Sequence, residues 1–115
     1  RAVKKMAFYG CRPEDILAAI GPGISQCCFE THEDVPNAMT AALGVRATPF
    51  LAPIENGKFK VDLKGINAMR LERAGLLPAH ISVTADCTAC LPEKYWSHRA
   101  TGGVRGSQSA VIQLL

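Results

Sequence analysis

Three observations in the sequence predict a mixed α+β fold. A short apolar run, Ile16-Leu17-Ala18-Ala19-Ile20, ends abruptly at Gly21-Pro22-Gly23. Asn56-Gly57 sits between two short apolar segments and favours a tight hairpin, because both central residues of a type I′ turn need positive φ. A helix pattern opened by Asp62 then separates that hairpin from the strand-like His80–Thr84. Strands alternate with helices, and at least one strand pair is antiparallel, so the class is α+β or mixed α/β, with about five short strands and three helices.

The elements follow in order. Arg1–Gly10 reads as the end of a helix already under way, with Val3, Met6 and Ala7 on one face and Gly10 as its C′ residue. No N-cap precedes it, so a missing upstream part is expected. Ile16–Ile20 is expected as a buried strand. Thr31 with Asp34 fits a capping pattern for a helix carrying Ala38, Met39, Ala42 and Leu43, and Gly44 stops it. The hairpin is expected over about Phe50 to Val61, with Glu55 opposite Lys58, Ile54 opposite Phe59 and Ala52 opposite Val61. Leu63, Ile66, Leu71 and Ala74 then share a helix face that Gly75 closes, with Asn67 nearby pinning a neighbouring loop. Residues 85–108 are irregular and Gly-rich, a long loop of the kind that is often functional. Ser109–Leu115 returns to strand character.

Composition narrows the function classes. The hydrophobic share is 48% and the charged share 20%, which is ordinary for a folded domain and argues against disorder. No apolar run approaches the roughly 18–20 residues of a membrane span. The net charge of +3 is too mild and too scattered to argue for nucleic acid. Neither a membrane nor a nucleic acid is therefore expected as a partner. Five cysteines are an odd number, and two of them are adjacent, which disfavours a mutual bridge. Free thiols in a reducing, cytoplasmic compartment are the simplest expectation.

Chemistry has two main places to sit. Cys87-Thr88-Ala89-Cys90 is a C-x-x-C. As zinc ligands these two would need Cys27 or Cys28, and His98, to complete a set of four. As a redox pair they would need a helix N-terminus, and Leu91-Pro92 follows instead. As buried reduced thiols they need nothing further. The second place is Tyr95-Trp96-Ser97-His98-Arg99 followed by Gly102-Gly103-Val104-Arg105-Gly106-Ser107. Aromatic side chains can stack a planar base, and Arg presents a planar fork that suits phosphate or carboxylate. Ser97, His98, Arg99 and Arg105 are the candidate substrate-binding residues. The alternative is a surface loop anchored by Trp96. Gly21-Pro22-Gly23 lacks the spacing of a phosphate-binding loop and reads as a structural turn.

One series of segments is more specific. Ile20-Gly21-Pro22-Gly23-Ile24, Cys28-Phe29-Glu30, Asp62-Leu63-Lys64 with Asn67 and Leu71, Cys87-Thr88, Ser97-His98-Arg99 and Arg105-Gly106 follow one another in a recognisable order. Together they resemble the C-terminal half of the bacterial laccase-domain family, labelled multicopper polyphenol oxidases and regarded as zinc-dependent purine nucleoside phosphorylases. The resemblance implies a four-layer α/β/β/α sandwich, of which residues 1–115 are the C-terminal portion. It implies phosphorolysis of adenosine, inosine or guanosine, with phosphate as co-substrate, and adenosine deamination as an added activity. It implies zinc or copper held by two His and one Cys in the N-terminal half, so no metal ligand is expected in this chain. Many relatives have Phe-Ser-Tyr-Arg-Arg where this chain has Trp96-Ser97-His98-Arg99.

Two other classes compete with the enzyme. One is a non-catalytic module held by a zinc knuckle at Cys87 and Cys90. The other is a cysteine hydrolase, which would need Cys28 or Cys87 beside a His base such as His98. Half a sandwich also leaves apolar surface uncovered, so the isolated chain is expected to self-associate or to sit against a missing half.

Overall fold

A computed structural model describes residues 1–113 and contains both helices and strands. Helix α1 spans Ala2–Phe8, and Gly10 follows it at φ +93°. Strand β1 is Ala18–Ile20, shorter than the expected run. Ile16 is buried but Leu17 is exposed, so this is a partly covered strand rather than a core strand. Strand β2, Glu30–Thr31, falls where a helix cap was expected. Helix α2 starts later, at Asp34, and runs to Leu43. Thr31 is occupied by pairing with the hairpin, which overrides its capping preference. Gly44 ends α2 at φ +64°.

The hairpin is present, with strands β3 (Leu51–Pro53) and β4 (Phe59–Val61). Asn56 and Gly57 both take positive φ, 58° and 68°, as their turn chemistry requires. The pairing differs from the expected one by a residue: Leu51 faces Val61, Ala52 faces Lys60 and Pro53 faces Phe59. The reason is a bulge. The Lys58 amide bonds to Glu55 at 3.3 Å, closing the turn, while the Lys58 carbonyl accepts from Ile54 at 2.8 Å. Two residues on one strand thus oppose one on the other. The expected Glu55–Lys58 ion pair is replaced by Lys58–Glu30 at 2.7 Å.

Helix α3 spans Leu63–Arg73, and the Asp62 carboxylate caps it by accepting from the Gly65 amide at 2.9 Å. Ile66 is its buried apolar residue, and Asn67 is exposed rather than on the packed face. Strand β5 is Ile81–Val83. A short helix α4, His98–Thr101, lies within the otherwise irregular stretch. Residues 109–113 form no strand, and Val111 and Ile112 are almost fully exposed. They have no ladder partner among the described residues. The expectation for residues 114 and 115 lies outside the described residues.

Two small sheets result among the described residues. Strands β1 and β5 pair in parallel, Ala18 with Ile81 through Ile20 with Val83. Strands β2, β4 and β3 form an antiparallel sheet with β4 in the centre. Val61, Ile66, Ala47 and Leu76 are the most buried apolar residues. The radius of gyration is 15.9 Å, against roughly 13 Å for a compact domain of this length. The core is correspondingly small, and Phe8, Leu17, Val45 and Val104 stand in solvent. Among the described residues no helix is long and apolar enough to cross a membrane.

Candidate functional site

The parallel pair does not end with its strands. Thr84 donates its amide to Ile20 at 2.9 Å, and Thr88 donates to Gly23 at 3.2 Å. Gly23 and Cys87 form a parallel bridge. The loops after β1 and β5 therefore travel side by side. Lys64, on α3, fastens the second loop. Its buried ammonium donates to the carbonyls of Thr84 at 2.9 Å and Asp86 at 2.6 Å. Asp86 in turn accepts from Lys94 and from the Tyr95 hydroxyl, each at 2.7 Å. Those two bonds, Lys94 foremost, hold the Asp86 carboxyl below its ordinary range.

Where the two loops meet α4 and the segment after it, they enclose a cleft of about 840 Å³. That is a size suited to a small organic ligand. Its walls include Gly21, Pro22, Ile24 and Phe29 from the first loop and Thr88 from the second. Tyr95, Trp96, Ser97, His98, Arg99, Arg105 and Gly106 complete it. All four sequence candidates therefore line one cavity.

Their local roles differ. Ser97 is buried, and its hydroxyl accepts from the Ala100 amide at 3.2 Å, capping α4. It shapes the wall more than it faces a ligand. Gly102 ends α4 in the left-handed region, and Gly103 follows at φ +98°. A Cβ on Gly103 would press on the His98 ring at 3.2 Å. Arg99 donates to the Glu30 carbonyl at 3.0 Å, and its guanidinium lies 5.7 Å from the Phe29 ring centroid. It thus ties α4 to β2 through one nitrogen and leaves other donors for a ligand. Among the described residues Arg105 bonds its neighbours alone, the Gly106 carbonyl at 2.9 Å and the Ser107 hydroxyl at 3.4 Å. Trp96 is not a core anchor, being half exposed. Its indole lies flush on Gly106, where a Cβ would come within 2.8 Å of the ring. The result is an aromatic and cationic rim around an open cleft.

Behind Thr88 lies a second feature. Cys27, Cys28, Cys87 and Cys90 bring their four sulfurs within 4.8 Å of one another, a group able to bind a metal ion. Cys87 is buried and the other three are more open. Burial opposes ionisation of Cys87, but nearby backbone amides, foremost that of Ser25 donating to its sulfur at 3.3 Å, bring its pKa to about 6. Hydrogen bonds with Cys28, Cys27 and Cys87 push Cys90 up to about 12. The sequence pointed to Cys27 or Cys28 as a partner for the C-x-x-C; the structure uses both and leaves His98 in the cleft wall. Lys64 stands in the Asp62-Leu63-Lys64 motif without a sequence-predicted role. A lysine in the first turn of a helix gives no sequence signal that it will be buried on two carbonyls.

Fold and cleft define an α+β protein whose two neighbouring loops build a cationic, aromatic-rimmed small-molecule site. The family model for the multi-copper polyphenol oxidoreductase laccases matches residues 1–115, and the chain belongs to that family. It is 33% identical over 100 residues to the purine nucleoside phosphorylase YlmD of Geobacillus stearothermophilus, covering 87% of this chain and 36% of that protein. It is 31% identical over 100 residues to the adenosine deaminase RL5 of an unknown prokaryotic organism, covering 87% of this chain and 38% of that protein. The crystal structure of the Bacillus licheniformis protein YfiH superposes with a TM-score of 0.83 at 29% identity, covering 89% of this chain and 39% of that one. The chain thus spans well under half the length of these relatives.

Proposed function

We propose that residues 1–115 are the C-terminal portion of a purine nucleoside phosphorylase. The complete protein would take a purine nucleoside and phosphate and release the free base and ribose 1-phosphate. Adenosine deamination is an added activity, suggested by the name of one relative. The supporting observation is the convergence of Arg99, Arg105, Trp96 and Phe29 on one cleft. A nucleoside needs a flat surface for its base, and phosphate needs fixed cationic donors. As the glycosidic bond breaks, positive charge grows on the sugar and negative charge on the leaving base. Donors already in place then lower the barrier without reorganising. Arg99 and Arg105 serve the anion, Trp96 and Phe29 flank the base, and His98 lines the wall between.

The family's metal is zinc or copper, and the cleft does not fit it unaided. Among the described residues its lining carries one histidine, His98, and neither a thiol nor a carboxylate. The two-His, one-Cys set that the resemblance implies would therefore come from outside this chain, as would the rest of the four-layer sandwich it implies. A reducing, cytoplasmic location is part of this reading, supported by five cysteines without a disulfide between them. Relatives named as purine nucleoside phosphorylases favour the enzyme over a non-catalytic zinc module, while the cysteine group that includes Cys87 and Cys90 is compatible with either. The test is Arg99→Ala in the complete protein. The account expects kcat/KM for phosphorolysis to fall by about 100-fold or more, the scale of losing one charge-stabilising donor. Unchanged kinetics with the fold intact would remove Arg99 from the site.

A further inference from the structure

The four-cysteine group lies outside the cleft lining, and the reaction above does not use it. We propose that Cys27, Cys28, Cys87 and Cys90 bind one zinc ion in a closed structural site that joins the two loops walling the cleft. The inference is independent of the reaction, and it concerns an ion distinct from the one the cleft would borrow from upstream.

Geometry carries it. Zinc–thiolate bonds of about 2.3 Å in a tetrahedron place the sulfurs roughly 3.8 Å apart. Here Cys27 and Cys28 are separated by 3.7 Å, Cys27 and Cys90 by 3.7 Å, and Cys28 and Cys90 by 3.3 Å. All four sulfurs stay within 4.8 Å of one another. A disulfide would explain one short distance but would leave the other two sulfurs gathered for no reason. Each pair of cysteines comes from a tight turn. The Cys28 amide donates to Ser25 at 3.0 Å, and the Leu91 amide donates to Cys87 at 3.1 Å. The Gly23–Cys87 bridge sets these turns face to face. The Ser25 amide also donates to the Cys87 sulfur at 3.3 Å, an outer contact of the kind that orients and stabilises a thiolate ligand.

Ligand chemistry selects the ion and its role. Four thiolates in a tetrahedron suit zinc among common divalent ions. With all four positions filled by protein there is no place for water or substrate, which is the mark of a structural rather than a catalytic site. Phe29 follows directly on Cys28, and Thr88 on Cys87, and both line the cleft. The ion would therefore fix the wall against which a ligand packs.

The experiment uses the purified 115-residue chain, prepared under reducing conditions and counted for metal and for reactive thiols. The result expected is one zinc per chain, with Cys11 the one thiol that reacts freely; a chelator then exposes the other four. Cobalt put in place of zinc should give the strong thiolate-to-cobalt absorption of a tetrahedral centre. Cys11→Ser should leave zinc content unchanged. Cys90→Ser should weaken zinc binding by more than the roughly 10–100-fold that losing an outer partner costs. Five reactive thiols without metal would overturn the proposal. So would two thiols lost to a disulfide, or copper or iron held in zinc's stead.

Discussion

Replacing Lys64 by Met isolates what fastens the second cleft loop. The substitution keeps an unbranched apolar stem out to Cε and removes the ammonium, which is buried and donates to the carbonyls of Thr84 and Asp86. Hydrogen bonds from a charged donor contribute about 1.5–3 kcal/mol each, so two give a gross loss of about 3–6 kcal/mol. Relief from burying an ammonium returns part of this, and a net destabilisation of about 2–3 kcal/mol remains. At about 4 °C per kcal/mol for a domain of this size, Tm should fall by about 8–12 °C. Circular dichroism melting of the purified chain measures it. The reaction of Cys87 with a thiol reagent provides a local readout, because the loop that Lys64 holds leads directly into that residue. A Tm within about 2 °C of the parent, with Cys87 still protected, would refute the reasoning, since it lies well below the cost of even one such bond.

Other outcomes follow from single contacts. Asp62→Ala removes the α3 cap and should cost about 1 kcal/mol, read as a shift in urea midpoint without a change in slope. Gly106→Ala places a methyl against the Trp96 ring; the indole should move, seen as altered tryptophan fluorescence, with a weaker KM for nucleoside in the complete protein. Arg99→Lys should rescue less than a tenth of the activity lost in Arg99→Ala, because an ammonium lacks the planar fork that grips the Glu30 carbonyl and would, on the proposed function, also reach phosphate. Chelation of the four-cysteine site should lower Tm, and added zinc should restore it.

The sequence was legible where one residue dictates a local geometry. Asn56-Gly57 required a positive-φ turn, Asp62 capped α3, and Gly44 ended α2. It was illegible where a distant partner decides. The bulge at Ile54 and Glu55 moved the hairpin register by one residue, and Glu30 took Lys58 from Glu55. Strand β2 is too short to show a period, and its pairing with β4 cancelled the capping preference of Thr31. The cleft residues were readable as a dense local cluster, Tyr95 to Ser107. Their neighbours Phe29 and Thr88 come from loops brought close by the parallel pairing of β1 and β5. The same pairing gathers Cys27 and Cys28 against Cys87 and Cys90 across some 60 positions, a separation that no local spacing rule spans.

The most direct measurement of the central claim is product stoichiometry from the complete protein given adenosine and inorganic phosphate. The account predicts one free base and one ribose 1-phosphate for each phosphate consumed, with no base released when phosphate is withheld. Base release that ignores phosphate, or no turnover of any purine nucleoside, would contradict it.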